Sequence, residues 1–210
     1  MAITTAELAD AVDTFAGRIH AAKEELTTLD SAIGDADHGI NMDRGMSAVR
    51  EILRELRQGD PGALFTQTGM KLISTVGGAS GPLYGTFFLR LGTSLGETPE
   101  VTPRRLAEAL RAGLEGVKAR GKAELGDKTM VDAMTPAVEA FEAGADGDLT
   151  TALAAAATAA AGGRDRVTPV VARKGRASYL GERSAGHQDP GATSTTILFE
   201  SLRDALAVTG

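Results

Sequence analysis

Apolar side chains recur at intervals of three and four residues along nearly all of this 210-residue chain. That spacing places them on one face of an α-helix, so the dominant hydrophobic period is helical. The first such stripe comprises Leu8, Val12, Phe15, Ile19, Ala22 and Leu26. The one short β-like stretch, residues 167–171, contains Pro169, which disfavours a strand. The pattern therefore predicts an all-α fold.

Capping residues mark where several of these helices begin. Thr4 with Glu7 three positions later is typical of a capping box. Asp60-Pro61, Thr102-Pro103 and Asp189-Pro190 each place an N-cap residue before a proline at the first helical position. The stripes and the caps together predict eight helices in a single domain that spans residues 1–210.

The connections between the predicted helices are of two kinds, which alternate along the chain. Short connections that carry only turn residues are expected at 57–60, 96–102 and 144–148. Longer connections rich in Gly, Asp, Ser or Arg are expected at 29–41, 77–82, 121–130 and 162–190. If successive helices run antiparallel, as short connections favour, the four longer connections meet at one rim of an up-and-down bundle or barrel.

Composition excludes several classes of protein. The chain has no Cys, which excludes a disulfide scaffold, a thiolate nucleophile and a Cys-bound metal. Its 28 acidic residues exceed its 22 basic ones, and only 4% of its residues are aromatic, so nucleic-acid binding is not expected. The N-terminus lacks a signal-peptide pattern, and no apolar run reaches the ~20 residues of a membrane span. We expect a cytoplasmic protein that does not enter a membrane.

Three carboxylates lie close together in the first long connection, at Asp30, Asp35 and Asp37. Carboxylates packed in one turn repel each other unless a cation screens them, and oxygen ligands without sulfur suit Mg²⁺ or Ca²⁺. The spacing is not that of an EF-hand. The alternative is that the three are solvated loop residues that cap helices.

Two further connections run into helix starts. Residues 77–82 (GGASGP) place Gly and Ser backbone N–H groups where they could hold an anion, and the alternative is a tight inter-helix turn. Residues 126–130 (GDKTM) read either as a nucleotide pocket wall, with Met130 against an adenine, or as a capping Asp127, a surface Lys128 and a core methionine.

The last long connection is basic and rich in glycine. Arg173, Lys174 and Arg176 could neutralise phosphate, or they form a solvated basic patch. His187 receives no role. Taken together, the four connections read as a Mg²⁺–nucleotide phosphotransfer site, which needs positioning and charge stabilisation rather than a nucleophile.

These motifs resemble the ADP-binding L subunits of bacterial dihydroxyacetone kinases that depend on the phosphotransferase system. The stretches that carry the resemblance are Leu29–Asn41, Gly77–Gly85, Gly126–Ala133 and Gly175–Thr193, and the resemblance covers essentially the whole chain. It implies an eight-helix up-and-down antiparallel barrel with the nucleotide at one rim, in agreement with the arrangement of the connections.

The resemblance also implies roles for individual residues. Asp30, Asp35 and Asp37 would bind two Mg²⁺ ions that bridge the phosphates of ADP or ATP. No catalytic side chain is assigned with certainty, because Mg²⁺ would stabilise the charge, with Arg176 as a candidate helper. The implied nucleotide-binding residues are His38, Gly39, Ile40, Asn41, Gly78, Ala79, Ser80, Gly121, Thr129, Met130, Arg176, Asp189, Pro190 and Gly191.

In such systems the nucleotide acts as a bound coenzyme. A multidomain M-type phosphotransferase subunit donates a phosphoryl group from a phosphohistidine to ADP, and the ATP formed phosphorylates dihydroxyacetone held on a K-type subunit. The chain length favours the free L-type subunit, active only with these partners. The alternatives are the nucleotide domain of an ATP-dependent dihydroxyacetone or fatty-acid kinase and a nucleotide-bound regulator of a transcription factor. The oligomeric state is open, and a homodimer is one possibility.

Overall fold

The computed structural model describes residues 2–98 and 100–207. Over these residues the chain forms nine α-helices: α1 (Thr5–Ala21), α2 (Lys23–Ile33), α3 (His38–Leu56), α4 (Pro61–Thr75), α5 (Ser80–Leu95), α6 (Pro103–Gly121), α7 (Met130–Gly144), α8 (Leu149–Val167) and α9 (Pro190–Leu206). A 3₁₀ segment, Arg176–Ser184, lies between α8 and α9. Two short strands, β1 (Ile3–Thr4) and β2 (Glu100–Val101), pair antiparallel.

The all-α class predicted from the hydrophobic period is confirmed, with corrections to the helix boundaries. The first predicted helix is divided into α1 and α2 at Ala22, whose φ of −89° and ψ of 5° lie outside the helical region. The helix α2 continues to Ile33, so Asp30 lies in a helix rather than in the predicted loop. Similarly, α8 continues to Val167 and shortens the last long connection.

The helices contact one another in a closed order. From α3 to α9 each helix packs against the next, and α1 packs against both α3 and α9. The side chains between them form one large hydrophobic core that includes Phe15, Phe65, Phe87 and Phe141. This order is the one that an up-and-down barrel requires, and the detailed barrel geometry stays a prediction.

One end of this ring gathers the short connections. There β1, which precedes α1, pairs with β2, which precedes α6. Arg104 at the start of α6 forms an ion pair with Asp146 in the connection from α7 to α8. The helices that begin at this end are α1, α4, α6 and α8, and each has an N-cap side chain that accepts a backbone N–H: Thr4, Asp60, Thr102 and Asp148. We call this end the capped rim.

Glycines inside helices serve close packing of α4 against α5. A Cβ atom at Gly69 of α4 would lie 2.7 Å from the carbonyl oxygen of Gly85 on α5. One at Gly92 of α5 would lie 2.6 Å from the carbonyl oxygen of Gly62 on α4. The two backbones therefore approach more closely than any larger residue would allow at these positions. Among the described residues, no helix is both long enough and apolar enough to cross a membrane.

Candidate functional site

At the other end of the ring, α3, α5, α7 and α9 begin around one pocket of about 180 Å³. These are the helices that follow the four longer connections. The helix-start residues that line the pocket are Asp37, His38, Ala79, Ser80, Thr129, Met130, Asp189, Pro190 and Gly191. We call this end the site rim. Because a helix N-terminus carries a partial positive charge, several of them around one pocket favour a bound anion.

The helix starts at the site rim differ in how they are capped. Thr129 caps α7 and Asp189 caps α9 by accepting a backbone N–H. The N-cap residues of α3 and α5, Asp37 and Ala79, make no side-chain cap hydrogen bond. The first N–H groups of a helix have no partner within the helix. At α3, Asp30 of α2 accepts the N–H groups of Asp37 and His38, whereas the start of α5 offers its donors to a ligand.

The three aspartates of the first motif are brought together at the edge of this pocket. Oxygen atoms of Asp30, Asp35 and Asp37 all lie within 4.8 Å of one another. Asp30, in the last turn of α2, accepts backbone N–H bonds from Asp37 at 2.8 Å and His38 at 3.1 Å. These bonds fold the connection back over α2, and Ala36 adopts a left-handed φ of 61° between the other two aspartates.

Gly34 lets the connection pass close to Asp30. A Cβ atom at Gly34 would clash with Oδ1 of Asp30, so any larger residue would displace this carboxylate. The glycine therefore helps to fix the position of an aspartate, which is a more specific role than general flexibility of a loop.

The donor set fits a hard divalent cation. It consists of carboxylate oxygens only, on three residues held close together at a site that is partly open to solvent. Such oxygens are the ligands that Mg²⁺ prefers, and Mg²⁺ binds few protein carboxylates because it keeps water and phosphate oxygens in its shell. Three negative groups this close together are also unfavourable without a cation or a basic partner.

Arg176 supplies such a basic partner. Its guanidinium Nη2 lies 3.0 Å from Oδ2 of Asp35, and the side chains are 65% and 35% exposed. An ion pair this exposed contributes little stability and exchanges partners easily. Arg176 and its neighbour Lys174 both line the pocket from the last long connection.

His38 is held in the neutral state beneath the pocket. Burial lowers its pKa to about 4, although nearby Asp30 opposes the shift. Nε2 lies 3.0 Å from Oγ of Ser194, and Nδ1 lies 2.9 Å from Oγ of Ser80. Both ring nitrogens are therefore hydrogen-bonded to hydroxyl groups, and Ser194 also contacts the hydroxyl of Tyr84 at 2.7 Å.

Asp189 is half-buried at the start of α9. Burial raises its pKa to about 7, and the carboxylates of Asp132 and Asp30 act in the same direction. The N–H of Ala192, 2.7 Å from Oδ2 of Asp189, and the ammonium of Lys128 oppose the shift. The pocket thus holds a carboxyl group that titrates near neutrality.

Of the two interpretations of residues 126–130, the one with a surface Lys128 beside a capping Asp127 is wrong. Lys128 is 1% exposed and lines the pocket. The cap of α7 is Thr129 together with Asp132, which accepts the N–H of Thr129 at 2.8 Å. The available signal is the position of Lys128 one residue before the N-cap of α7, and it does not indicate which acceptors the ammonium group will find.

Most of the residues assigned by resemblance surround the pocket. Those that line it are Asp30, Asp35, Asp37, His38, Gly78, Ala79, Ser80, Thr129, Met130, Arg176, Asp189, Pro190 and Gly191. Those that do not are Gly39, Ile40, Asn41 and Gly121. Gly39 packs against the backbone of α2, and Asn41 accepts a hydrogen bond from Arg44 at 2.6 Å. Ile40 is about half exposed, and Gly121 ends α6.

A protein family and two relatives match this chain in sequence. The DAK2 domain family matches residues 32–204. The ADP-binding subunit DhaL of the PEP-dependent dihydroxyacetone kinase of Escherichia coli is 49% identical over 85% of this chain and 86% of its own length. The ADP-binding subunit DhaL of the PEP-dependent dihydroxyacetone kinase 1 of Listeria innocua is 43% identical over 90% of each chain.

A solved structure is also similar. The dihydroxyacetone kinase of C. freundii, crystallised in complex with AMP-PNP and Mg²⁺, superposes with a TM-score of 0.74 at 27% identity. The match covers 97% of the present chain and 34% of that longer chain. This chain therefore corresponds to about a third of the C. freundii enzyme.

Proposed function

Because this chain belongs to the DAK2 domain family, we propose that it is the ADP-binding subunit of a phosphoenolpyruvate-dependent dihydroxyacetone kinase. The observation that carries the proposal is the meeting, in one pocket, of three clustered aspartates with the start of α5, whose N-cap residue makes no side-chain cap bond. Carboxylates for a cation beside N–H donors for an anion are what a metal–diphosphate needs. The printed names of the relatives from Escherichia coli and Listeria innocua supply the nucleotide and the reaction.

Asp30, Asp35 and Asp37 would hold the magnesium, with two ions expected from the family resemblance. A magnesium ion held by these carboxylates would offset the negative charge of the transferring phosphoryl group. Asp30 contributes in a second way, because its Oδ2 also organises the backbone of Asp37 and His38. The position of Asp37, a proposed magnesium ligand, thus depends on Asp30, which is also a proposed magnesium ligand.

The nucleotide phosphates would lie at the starts of α3 and α5. At α5, Ser80 would serve through its backbone N–H, because its hydroxyl group is hydrogen-bonded to His38. Arg176 would add positive charge from the loop above, and its exposed pair with Asp35 leaves it able to turn toward a phosphate. Met130, which also lines the pocket, would border the adenine.

We propose that this chain acts in the cytoplasm with partner subunits. The subunit names of the relatives imply such partners. We propose an M-type subunit that supplies the phosphoryl group from a phosphohistidine, and a K-type subunit that binds dihydroxyacetone. The role of the present chain is to hold ADP and its metal in an open pocket that both partners can reach.

Reconstitution tests this function directly. The chain would be combined with a phosphohistidine subunit, a dihydroxyacetone-binding subunit and phosphoenolpyruvate, and dihydroxyacetone phosphate would be measured. We expect product only when all components are present. Absence of product with ADP bound, or product from free ATP without the phosphohistidine subunit, would overturn the proposal.

A second candidate is the nucleotide domain of an ATP-dependent dihydroxyacetone kinase. It is favoured by the similarity to the C. freundii enzyme, whose crystal contained AMP-PNP and Mg²⁺. Native mass spectrometry of the purified chain separates the two. ADP retained through purification together with magnesium supports the coenzyme role, whereas an empty protein that exchanges ATP freely supports the second candidate.

A further inference from the structure

We propose that Lys128 is a positioning residue, whose ammonium group fixes the base of the loop that carries Arg176 over the pocket. This inference rests on the proposed function, since it concerns how the same pocket holds its phosphates. It adds to that function a residue that does not touch the ligand.

All three ammonium hydrogens of Lys128 have acceptors in the protein. Nζ donates to the backbone carbonyls of Thr168 at 2.8 Å, Val170 at 3.0 Å and Ser184 at 2.7 Å. A lysine has no further donor, so this side chain cannot also bond to a phosphate. Any effect of Lys128 on the ligand must therefore pass through the backbone segments that it joins, or through its charge.

The three carbonyls flank one loop. Residues 171–183 lie between Val170 and Ser184, so a single ammonium group holds both ends of this segment. The Ser184 hydroxyl oxygen reinforces the base by accepting the N–H of Ala172 at 2.8 Å. The N–H of Gly186 bonds to the carbonyl of Thr168 at 2.9 Å. We call residues 171–183 the clasped loop.

The clasped loop carries the basic groups of the pocket. Lys174 and Arg176 both line it, and Arg176 reaches Asp35. Because the Arg176 side chain is 65% exposed, packing does little to direct it. Its position over the pocket is therefore set by the backbone that the lysine fixes.

The backbone of Lys128 is also unusual. Its φ is 65°, a left-handed conformation that glycine adopts more easily than lysine. Lys122 has a similar φ of 50°, yet it is exposed at the end of α6. The two lysines share a strained backbone and differ in burial and in hydrogen bonding, so Lys122 is a matched control.

Hydrogen exchange of the ligand-free protein tests whether Lys128 fixes the clasped loop, independently of nucleotide binding. In Lys128→Met, we expect amides of residues 171–184 to exchange faster than in the wild type, because three carbonyl bonds are lost. Lys122→Met should leave their exchange unchanged. Equal protection of these amides in Lys128→Met and the wild type would overturn the proposal.

A double-mutant cycle tests the link to Arg176. With Mg²⁺ present, we expect Lys128→Met and Arg176→Ala each to weaken ADP binding about tenfold, the size typical of a residue that orients another. The double variant should bind ADP no more weakly than Arg176→Ala alone. A double variant about 100-fold weaker than the wild type would show independent effects and contradict positioning.

If Lys128→Met fails to fold, Ser184→Ala carries the same cycle. It removes the acceptor for Ala172 and leaves the lysine in place. We expect a smaller loss of ADP affinity that again disappears in the Arg176→Ala background, and a loss that persists there would overturn the proposal. Failure of the proposed function is distinguishable, because the wild type itself would then not bind ADP with Mg²⁺.

Discussion

The two rims of the helix ring differ in how the first N–H groups of their helices are capped. At the capped rim, α1, α4, α6 and α8 each begin with a side chain that accepts a backbone N–H, as Asp60 does from Ala63 at 2.6 Å. At the site rim, Thr129 and Asp189 cap α7 and α9 in the same way, but the N-cap residues of α3 and α5 make no such bond, and Asp30 of α2 accepts the first N–H groups of α3. Each helix start at the capped rim is thus capped by its own N-cap residue, whereas two of the four at the site rim are not.

This difference separates stability from function within one fold. A capping side chain contributes about 1 kcal/mol to a helix. Omitting it leaves N–H donors and the helix dipole available to an anion. Asp37 and Ala79 occupy N-cap positions that line the pocket, and neither makes a side-chain cap bond. The loss of capping stabilisation is therefore confined to the rim where a ligand would bind.

Two aspartates at opposite ends of α9 show a parallel contrast. Asp189, the N-cap, is half-buried near acidic groups, and desolvation raises its pKa to about 7. Asp204, in the last turn, bonds to Arg203 and Arg18, and its pKa falls to about 2. A carboxylate with arginine partners is stabilised in its charged form, whereas one half-buried in the pocket is not.

The largest expected effect is loss of a carboxylate at the site rim. Asp30→Asn keeps an oxygen that can accept the N–H groups of Asp37 and His38 but removes the negative charge. We expect Mg²⁺-dependent ADP binding, measured by isothermal titration calorimetry, to weaken about 100-fold or more. The matched change at the capped rim, Asp60→Asn, should leave ADP binding unaltered. Wild-type affinity in Asp30→Asn would contradict the metal assignment.

A smaller effect is expected from an acidic residue at the open start of α5. In Ala79→Asp the carboxylate would compete for the N–H groups and repel phosphate, while a negative charge at a helix N-terminus is favourable for the helix. We expect ADP affinity to fall about tenfold and the melting temperature of the ligand-free protein not to fall. Unchanged ADP affinity would indicate that phosphate does not lie at this helix start.

At the capped rim the expected effect is on stability alone. Asp60→Ala removes the acceptor for the N–H of Ala63 and should lower the free energy of unfolding by about 1 kcal/mol in urea denaturation. ADP binding to the folded variant should equal that of the wild type. Weaker binding by this variant would mean that the two rims are coupled through the helices, and the separation drawn above would fail.

The smallest expected effect concerns Asp204 and pH. Its folded pKa, about 2, lies below the ordinary value, so its stabilising contribution is present above pH 4 and lost as pH falls toward 2. The carboxylate is partly exposed, and solvent screening reduces the contribution to about 0.5 kcal/mol. Asp204→Asn should destabilise the protein at pH 6 and match the wild type near pH 2. A constant difference in unfolding free energy over that range would contradict this pairing.

Local signals in the sequence account for much of the fold. The caps at Thr4, Asp60 and Thr102 each involve one short motif and its own backbone, so neighbouring residues suffice to predict them. The break at Ala22 has no such signal, because alanine has the highest intrinsic helix propensity of the amino acids. The pairing of β1 with β2 is two residues long, too short for alternation to reveal it.

The site was predictable where it is local and not where it depends on distant partners. Asp35 and Asp37 were identified from one turn, and they do lie together with Asp30. The acceptors of Lys128, by contrast, are 40 to 56 residues away, and nothing beside the lysine indicates them. Burial that depends on the packing of the long connection could be found only from the structure.

The most direct test of the difference between the rims is a crystal structure of the chain grown with ADP and Mg²⁺. We expect metal density between the carboxylates of Asp30, Asp35 and Asp37, and a diphosphate within hydrogen-bond distance of the backbone N–H of Ser80 at the start of α5. ADP bound at the capped rim, or at the site rim with no metal on the three aspartates, would contradict the central claim.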